Sequence, residues 1–202
     1  MTGILRRIRY GEPIIVVSGL PRSGTSMAMQ MLSAASVPIV TDGIRVPGED
    51  NPKGYYEDER VKELHKDGID RSWLQDARGK AIKIISFLLK DLPDTNNYRV
   101  IFMKRSLPEV LASQRKMLER RRESDDTPDE RMLELWESHL FRVGYLLKHA
   151  PQFETLEVLY SAAVADPLRE ARRIRDFLEL SASPETMAAA VDESLYRNRA
   201  SS

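Results

Sequence analysis

The sequence contains no cysteine. Without thiols there are no disulfides, no thiolate metal ligands and no cysteine nucleophile. This composition suits a reducing compartment, and we expect a cytoplasmic protein. The chain also has no excess of charge, because 31 Lys and Arg residues balance 31 Asp and Glu residues. A global basic field that would attract nucleic acid or anionic membranes is therefore missing, and we expect neither partner.

Long apolar runs are missing as well. Residues 1–10 carry charges with no apolar segment after them, and the chain has no apolar run of about 18 residues. We therefore expect no signal peptide and no transmembrane helix. Apolar residues make up 42% of the chain and charged residues 31%, which is typical of a globular protein. A length of 202 residues suffices for one core, and we expect a single α/β domain over 1–202.

The stretch from Ile14 to Met31 organises the chain. Four consecutive β-branched residues, Ile14 to Val17, predict a buried strand of a parallel sheet. Gly19 and Gly24 follow with the G-x-x-x-x-G spacing of a P-loop, in which backbone N–H groups and a helix N-terminus surround an anion. Residues 26–36 then predict a helix. The order is strand, anion-binding loop and helix.

The loop departs from a Walker motif at one informative position. Thr25 follows Gly24 where a Walker loop carries its lysine, and the nearest cation is Arg22, inside the loop. A bound triphosphate would lack its usual charge partner. The segment Pro21-Arg-Ser-Gly-Thr-Ser26 instead resembles the 5′-phosphosulfate loop of sulfotransferases that use 3′-phosphoadenosine 5′-phosphosulfate (PAPS).

This resemblance implies roles for the loop residues. Arg22 would contact the sulfuryl group in transfer and stabilise charge on the leaving phosphate oxygen. The hydroxyl and backbone donors of the loop and the helix start would hold the 5′-phosphate. These donors belong to Ser23, Gly24, Thr25 and Ser26.

A second motif lies downstream of a strand predicted at 99–103. Ser106 and Glu109 have the spacing of a capping box, which predicts a helix after the strand. Arg105 then lies at the carboxyl end of the strand and Ser113 about two turns along the helix, so both can face the crevice where α/β sheets bind ligands. In PAPS-dependent sulfotransferases an Arg at a strand end and a Ser eight residues on hold the 3′-phosphate of the donor, and Arg105 and Ser113 match them.

A third match covers the C-terminal part. A strand is predicted at 155–160, and an amphipathic helix from Asp166-Pro167 to about residue 180. Tyr160 falls where the family places an aromatic residue next to the adenine. Ser161-Ala162 stands where many members carry Glu-Asp, so a role for that acidic pair is absent.

Together the three matches span residues 14 to about 180. The Asn-Pro-Lys-Gly-Tyr-Tyr-Glu segment at 51–57 is similar to one in compact bacterial sulfotransferases. The resemblance implies a three-layer P-loop fold, with a central parallel sheet flanked by helices, and a reaction that requires no metal. It also implies that Arg197 and Arg199 close over the 3′-phosphate, while a frayed terminus is an equal alternative for them.

Other segments complete the expected fold. The remaining strand is predicted at 81–85. The remaining helices are predicted at 129–149, at 184–194 and, as one or two helices, within 58–76.

The acceptor side of the expected site is less defined. Cytosolic sulfotransferases have a catalytic His shortly after a Lys at the end of the second strand, whereas this chain has Lys83-Ile-Ile-Ser86, with no His. The resemblance therefore implies Lys83 as a candidate catalytic residue. The three histidines, His65, His139 and His149, fall in predicted helices and are interpreted as surface or packing residues. A carboxylate near a cationic site can accept a proton, and we rank Glu57 above Asp42 as the candidate base.

The sequence therefore predicts an enzyme that transfers a sulfuryl group from PAPS to an unidentified acceptor hydroxyl or amine. One alternative is a P-loop kinase or NTPase, which needs a Walker lysine and a strand ending in Asp for Mg²⁺. Met103-Lys104-Arg105 places cations at that strand end instead. The other alternative is a non-catalytic protein that binds PAPS or its product, 3′-phosphoadenosine 5′-phosphate (PAP).

Overall fold

The computed structural model describes residues 3–43, 56–123 and 125–192. In these ranges four parallel strands form one sheet in the order β2-β1-β3-β4. The strands are β1 (Ile14–Gly19), β2 (Ala81–Lys83), β3 (Tyr98–Lys104) and β4 (Phe153–Leu159). Because the strands are parallel, their carboxyl ends meet at one edge of the sheet.

Helices connect the strands and cover both faces of the sheet. They are α1 (Gly3–Tyr10), α2 (Thr25–Ala34), α3 (Glu59–Lys62), α4 (Leu107–Arg121), α5 (Asp129–His149), α6 (Tyr160–Ala165), α7 (Pro167–Leu178) and α8 (Pro184–Ala188). Two 3₁₀ turns, Ser72–Ala77 and Ser86–Asp91, precede and follow β2. None of the helices in the described ranges combines the length and the apolar character needed to cross a bilayer.

Successive residues of β1 point to opposite faces and build two cores. Val16 packs in one cluster with Val143 and Leu147 of α5. Val17 packs in the other with Leu32 of α2 and Ile174 of α7. A strand buried on both sides explains why β1 is a continuous apolar run. The sheet thus lies between two helical layers, and the α/β fold class predicted from the sequence is confirmed.

Two local predictions were wrong. The last strand ends at Leu159, and Tyr160 is the first residue of α6. Ser106 precedes α4 without a capping hydrogen bond from its side chain, and the Glu109 carboxylate pairs with Arg105. The one or two helices predicted within 58–76 are found as the single-turn α3 and the 3₁₀ turn Ser72–Ala77, and Gly68 between them has a left-handed backbone with φ of 71°.

Candidate active site

The Gly19–Gly24 loop joins β1 to α2 at the carboxyl edge of the sheet and requires glycine at both ends. The φ angles are 149° at Gly19 and 102° at Gly24. A Cβ atom on Gly19 would lie 2.5 Å from the Met103 carbonyl oxygen, and one on Gly24 would lie 2.4 Å from Cδ2 of Tyr160. The loop is therefore packed directly against β3 and α6.

Arg22 connects this loop to α4. Its backbone is left-handed with φ of 69°, which is uncommon for a residue other than glycine. Its Nε donates a hydrogen bond of 3.0 Å to Oγ of Ser113. Its carbonyl oxygen accepts one of 3.3 Å from Nη1 of Arg105. The structure thus brings the first two sequence motifs into direct contact.

Arg105 is held on two sides at the end of β3. Its Nε lies 2.9 Å from a carboxylate oxygen of Glu109, and the two side chains are 7% and 8% exposed. Its guanidinium lies 4.5 Å above the centre of the Tyr160 ring. Burial raises the pKa of the Tyr160 phenol, and the charge of Arg105 opposes this. Tyr160 is therefore a neutral aromatic surface for Arg105 and for Gly24.

The other loop residues lie at the start of α2. The backbone N–H of Ser23 donates to the Leu20 carbonyl oxygen at 3.1 Å, while the Ser23 hydroxyl is buried and has no hydrogen-bond partner among the described residues. Such a hydroxyl is destabilising unless water or a ligand bonds to it. Thr25, which is also buried, is the first residue of α2. The positive end of the α2 helix dipole lies there and favours a bound anion.

Lys83 and Glu57 meet beside the helix start. Nζ of Lys83 lies 3.1 Å from a carboxylate oxygen of Glu57, and the side chains are 10% and 22% exposed. The same Nζ donates a bond of 3.4 Å to the hydroxyl of Ser26. An ion pair favours the charged form of both partners. Two predicted catalytic residues thus form one ion pair in contact with the predicted 5′-phosphate loop.

Asp42 has a different set of contacts. Its carboxylate accepts a 2.7 Å hydrogen bond from the backbone N–H of Glu59, the first residue of α3. Its own backbone N–H donates to the Glu57 carbonyl oxygen, which also accepts from the Thr41 hydroxyl. Asp42 thereby fixes the chain around Glu57. Two further predictions, the 51–55 part of the Asn-Pro-Lys-Gly segment and the pair Arg197 and Arg199, lie outside the described residues.

Three contacts at this edge were not predicted from the sequence. Glu109 was assigned to a helix cap and instead pairs with Arg105. Ser86 and His139 are hydrogen-bonded, with 2.8 Å between Oγ and Nε2. The His139 ring also stacks on Phe87. No local motif signals the contact of Ser86 with His139, because the two residues are 53 positions apart.

The edge as a whole carries the chemistry of an oxyanion site. Arg22, Lys83 and Arg105 supply positive charge, and the start of α2 supplies backbone N–H donors. Charge-assisted hydrogen bonds from such donors are the strongest that proteins make to phosphate and sulfate groups. Among the described residues no group of three or more His, Asp or Glu side chains has the arrangement of a metal site.

Solved structures resemble this chain across most of its length. The sulfotransferase domain from the curacin biosynthetic pathway has a TM-score of 0.56 and 16% identity, and covers 92% of this chain and 89% of its own. The sulfotransferase domain from the Synechococcus PCC 7002 olefin synthase has a TM-score of 0.60 and 15% identity, and covers 92% and 79%. Mouse sulfotransferase SULT7A1 complexed with PAP has a TM-score of 0.52 and 16% identity, and covers 100% and 74%.

These likenesses show the fold. The chain has a sulfotransferase-like fold, with a central parallel sheet flanked by helices, and the expectation drawn from its motifs is confirmed at that level. No protein-family model and no curated protein matches the sequence.

Proposed function

We propose that this chain transfers a sulfuryl group from PAPS to an acceptor hydroxyl or amine. The observation that carries the proposal is the hydrogen bond between Arg22 and Ser113. It joins the loop that resembles a 5′-phosphosulfate site to the helix that resembles a 3′-phosphate site. A donor with phosphate groups at both positions matches two adjoining cationic sites, whereas ADP and ATP lack the 3′-phosphate.

The reaction needs positioning and charge stabilisation more than covalent chemistry. A trigonal anionic group passes in line from one oxygen to another, and charge spreads over its oxygens. Arg22 would meet the charge that develops on the leaving 5′-phosphate oxygen. Lys83, held beside Ser26 by Glu57, would provide a second cation on the same side. These are interactions that strengthen in the transition state.

Arg105 would bind the 3′-phosphate in all states of the reaction. Its pairing with Glu109 and its position over Tyr160 keep its guanidinium fixed before the nucleotide arrives. A preorganised donor loses less conformational entropy when the ligand binds. One structural neighbour, mouse sulfotransferase SULT7A1, is complexed with PAP, which supports the same nucleotide here.

Nucleotide selectivity tests the proposal. Isothermal calorimetry of the full chain should show PAP binding more tightly than ADP or ATP. One charge-assisted contact contributes about 1.5–3 kcal/mol, which corresponds to about tenfold or more in affinity. The matched controls are Arg105→Ala, which should remove the preference for PAP, and Lys104→Ala, which should keep it. Lys104 is the preceding residue of β3, is exposed, and pairs with Glu157.

Two results would contradict the assignment. Equal affinity for PAP and ADP would show that the chain has no binding site for the 3′-phosphate. Tighter binding of ATP that depends on Mg²⁺ would instead favour the kinase or NTPase alternative.

A further inference from the structure

A serine and a histidine form a bonded pair just after β2, between the 3₁₀ turn that follows this strand and α5. Ser86 begins the 3₁₀ turn after β2 and is 1% exposed, and its Oγ lies 2.8 Å from Nε2 of His139. His139 lies in the middle of α5 and is half-buried. The ring of Phe87 stacks on the imidazole, with 3.8 Å between ring centroids and 11° between planes. The imidazole is thus held at one nitrogen and on one face.

The pair lies between elements of the candidate active site. Trp136, one turn before His139 on α5, packs in one cluster with Leu20 of the Gly19–Gly24 loop. On the other side, Ser86 is three residues after Lys83, which contacts the start of α2. Ligands of open α/β sheets bind at this carboxyl edge. The turn of α5 before His139 therefore packs against the Gly19–Gly24 loop, and His139 itself is bonded to the turn that follows Lys83.

The chemical state of His139 suits proton transfer. Burial lowers the pKa of the imidazole, and the positive charge of Arg142 lowers it further. The ring is therefore neutral at neutral pH, and one of its nitrogens carries a lone pair. When Nε2–H donates to Ser86 Oγ, that lone pair is on Nδ1. Because the Ser86 hydroxyl can also donate to Nε2, the bond orients the ring in either tautomer, and Nδ1 is the proton acceptor in the tautomer that carries Nε2–H.

We propose that His139 is the general base that accepts the proton of the acceptor, and that Ser86 is the positioning residue that orients its ring. This proposal rests on the proposed function. The acceptor oxygen or nitrogen forms a bond to the sulfur of PAPS, and the bond between sulfur and the 5′-phosphate oxygen breaks. The electron pair of that bond stays on the phosphate, and the acceptor proton goes to Nδ1 of His139.

The carboxylate candidates have other contacts in the structure. Glu57 is in an ion pair with Lys83, and Asp42 accepts the backbone N–H of Glu59. The other two histidines lie elsewhere. His65 is exposed beside α3, with Nδ1 2.7 Å from the Lys62 carbonyl oxygen, and His149 ends α5 against the ring of Tyr145. Among the described histidines, His139 is the one bonded to the turn that follows Lys83.

A series of phenols with graded acidity tests the base directly. Transfer from radiolabelled PAPS to phenol requires loss of a proton, whereas 4-nitrophenol is already ionised in mildly alkaline buffer. We expect His139→Gln to lower kcat for phenol by about 10²–10⁴-fold, the range typical of a general base. For 4-nitrophenol, His139→Gln should lower kcat little or not at all. Ser86→Ala should lower kcat for phenol by a smaller factor with KM little changed, which separates positioning from binding.

Two controls separate this proposal from the proposed function. His149→Gln removes a histidine from the same helix and should leave transfer to every phenol unchanged. Calorimetry with PAP should give the wild-type affinity for His139→Gln, because the base does not bind the nucleotide. A wild-type chain that fails to bind PAP overturns the proposed function itself.

Other outcomes overturn only the base. These are an unchanged kcat for phenol in His139→Gln, or equal losses for phenol and 4-nitrophenol. Wild-type protein that binds PAP but transfers to neither a phenol nor water also overturns it, and favours the non-catalytic alternative.

Discussion

The two halves of the sheet edge are built from different chemistry. On the side of β3 and α4, cations form a connected network from Arg22 through Ser113 and from Arg105 to Glu109. On the side of β2 and α5, the cation Lys83 pairs with Glu57, and the neighbouring pair, Ser86 and His139, is uncharged. The half beside β3 and α4 suits the binding of a polyanion. The second suits a neutral group that must lose a proton.

This division separates binding from chemistry. A group that contacts the same phosphate before, during and after transfer lowers KM without raising kcat, and one that meets charge only in the transition state raises kcat. Arg105 belongs to the first class in our proposal. Arg22 lies at the boundary, since its carbonyl oxygen contacts Arg105 and its side chain contacts Ser113, while its proposed role is at the leaving phosphate oxygen.

Among the cationic residues, the largest expected effect is on Arg22. Arg22→Ala should lower kcat by about 10²–10³-fold, the range found when a transition-state donor is removed. Arg105→Ala should instead mainly raise KM for PAPS, because its proposed contact is uniform along the reaction. Steady-state kinetics with a saturating phenol acceptor measures both. The backbone conformation at residue 22 is equally unfavourable for Ala and Arg, so the melting temperature checks that the loop is intact.

The changes in kcat and KM of these two variants test the proposed division between binding and chemistry. If both variants raise KM and leave kcat alone, Arg22 is a binding residue only. If both lower kcat by similar factors, Arg22 and Arg105 act as one unit through the bond that joins them.

The binding half was predictable because its signals are local. Four β-branched residues predicted β1, and the Gly19–Gly24 spacing predicted the loop that follows it. Arg105 and Ser113 were placed by the strand end and the helix period, and in the structure Ser113 is hydrogen-bonded to Arg22. Residues at the carboxyl ends of parallel strands, and at the starts of the helices that follow them, lie at the same edge of the sheet. Their proximity can therefore be predicted once the strands and helices are assigned.

The acceptor half was not predictable in the same way. The contact between Ser86 and His139 joins two elements distant in sequence, and a histidine on a helix looks like any surface residue before the helices are packed. Glu109 matched a capping box by spacing, but its carboxylate pairs with the buried guanidinium of Arg105. A charge-assisted hydrogen bond of this kind is stronger than one to a neutral backbone N–H. Tyr160 was assigned to the strand because its type favours strands, whereas α6 begins there.

A second, smaller effect is expected at the ion pair of the acceptor half. Glu57→Gln keeps the side chain's size and removes the partner of Lys83, so the chain should lose about 1–3 kcal/mol of stability. Turnover should fall by less than about tenfold, well below the loss on removing a general base. Denaturant unfolding and kcat are measured on the same preparation. Glu59→Gln is the matched control, because its pair with Lys62 is half exposed and contributes about 0–1 kcal/mol.

This variant also sharpens the choice of base. A kcat loss of about 10²–10⁴-fold in Glu57→Gln with unchanged stability would identify Glu57 as the base. His139→Gln would then retain most of its activity. The two losses are not expected together unless the carboxylate and the imidazole share one proton path.

The smallest expected effect is the pH dependence of stability that His139 produces. Burial, aided by Arg142, lowers its pKa in the folded chain below the 6.5 of a free imidazole. As the pH falls below that value, the unfolded chain takes up a proton before the folded chain does, so stability decreases until the folded ring is also protonated. Above the unfolded value this group contributes no slope. Melting temperatures measured from neutral pH downward should therefore fall less steeply for His139→Gln than for the wild type, whereas His149→Gln should keep the contribution of His139. An unchanged slope in His139→Gln would mean that the ring titrates alike in both states, and the neutral imidazole required on the acceptor side would lose its physical basis.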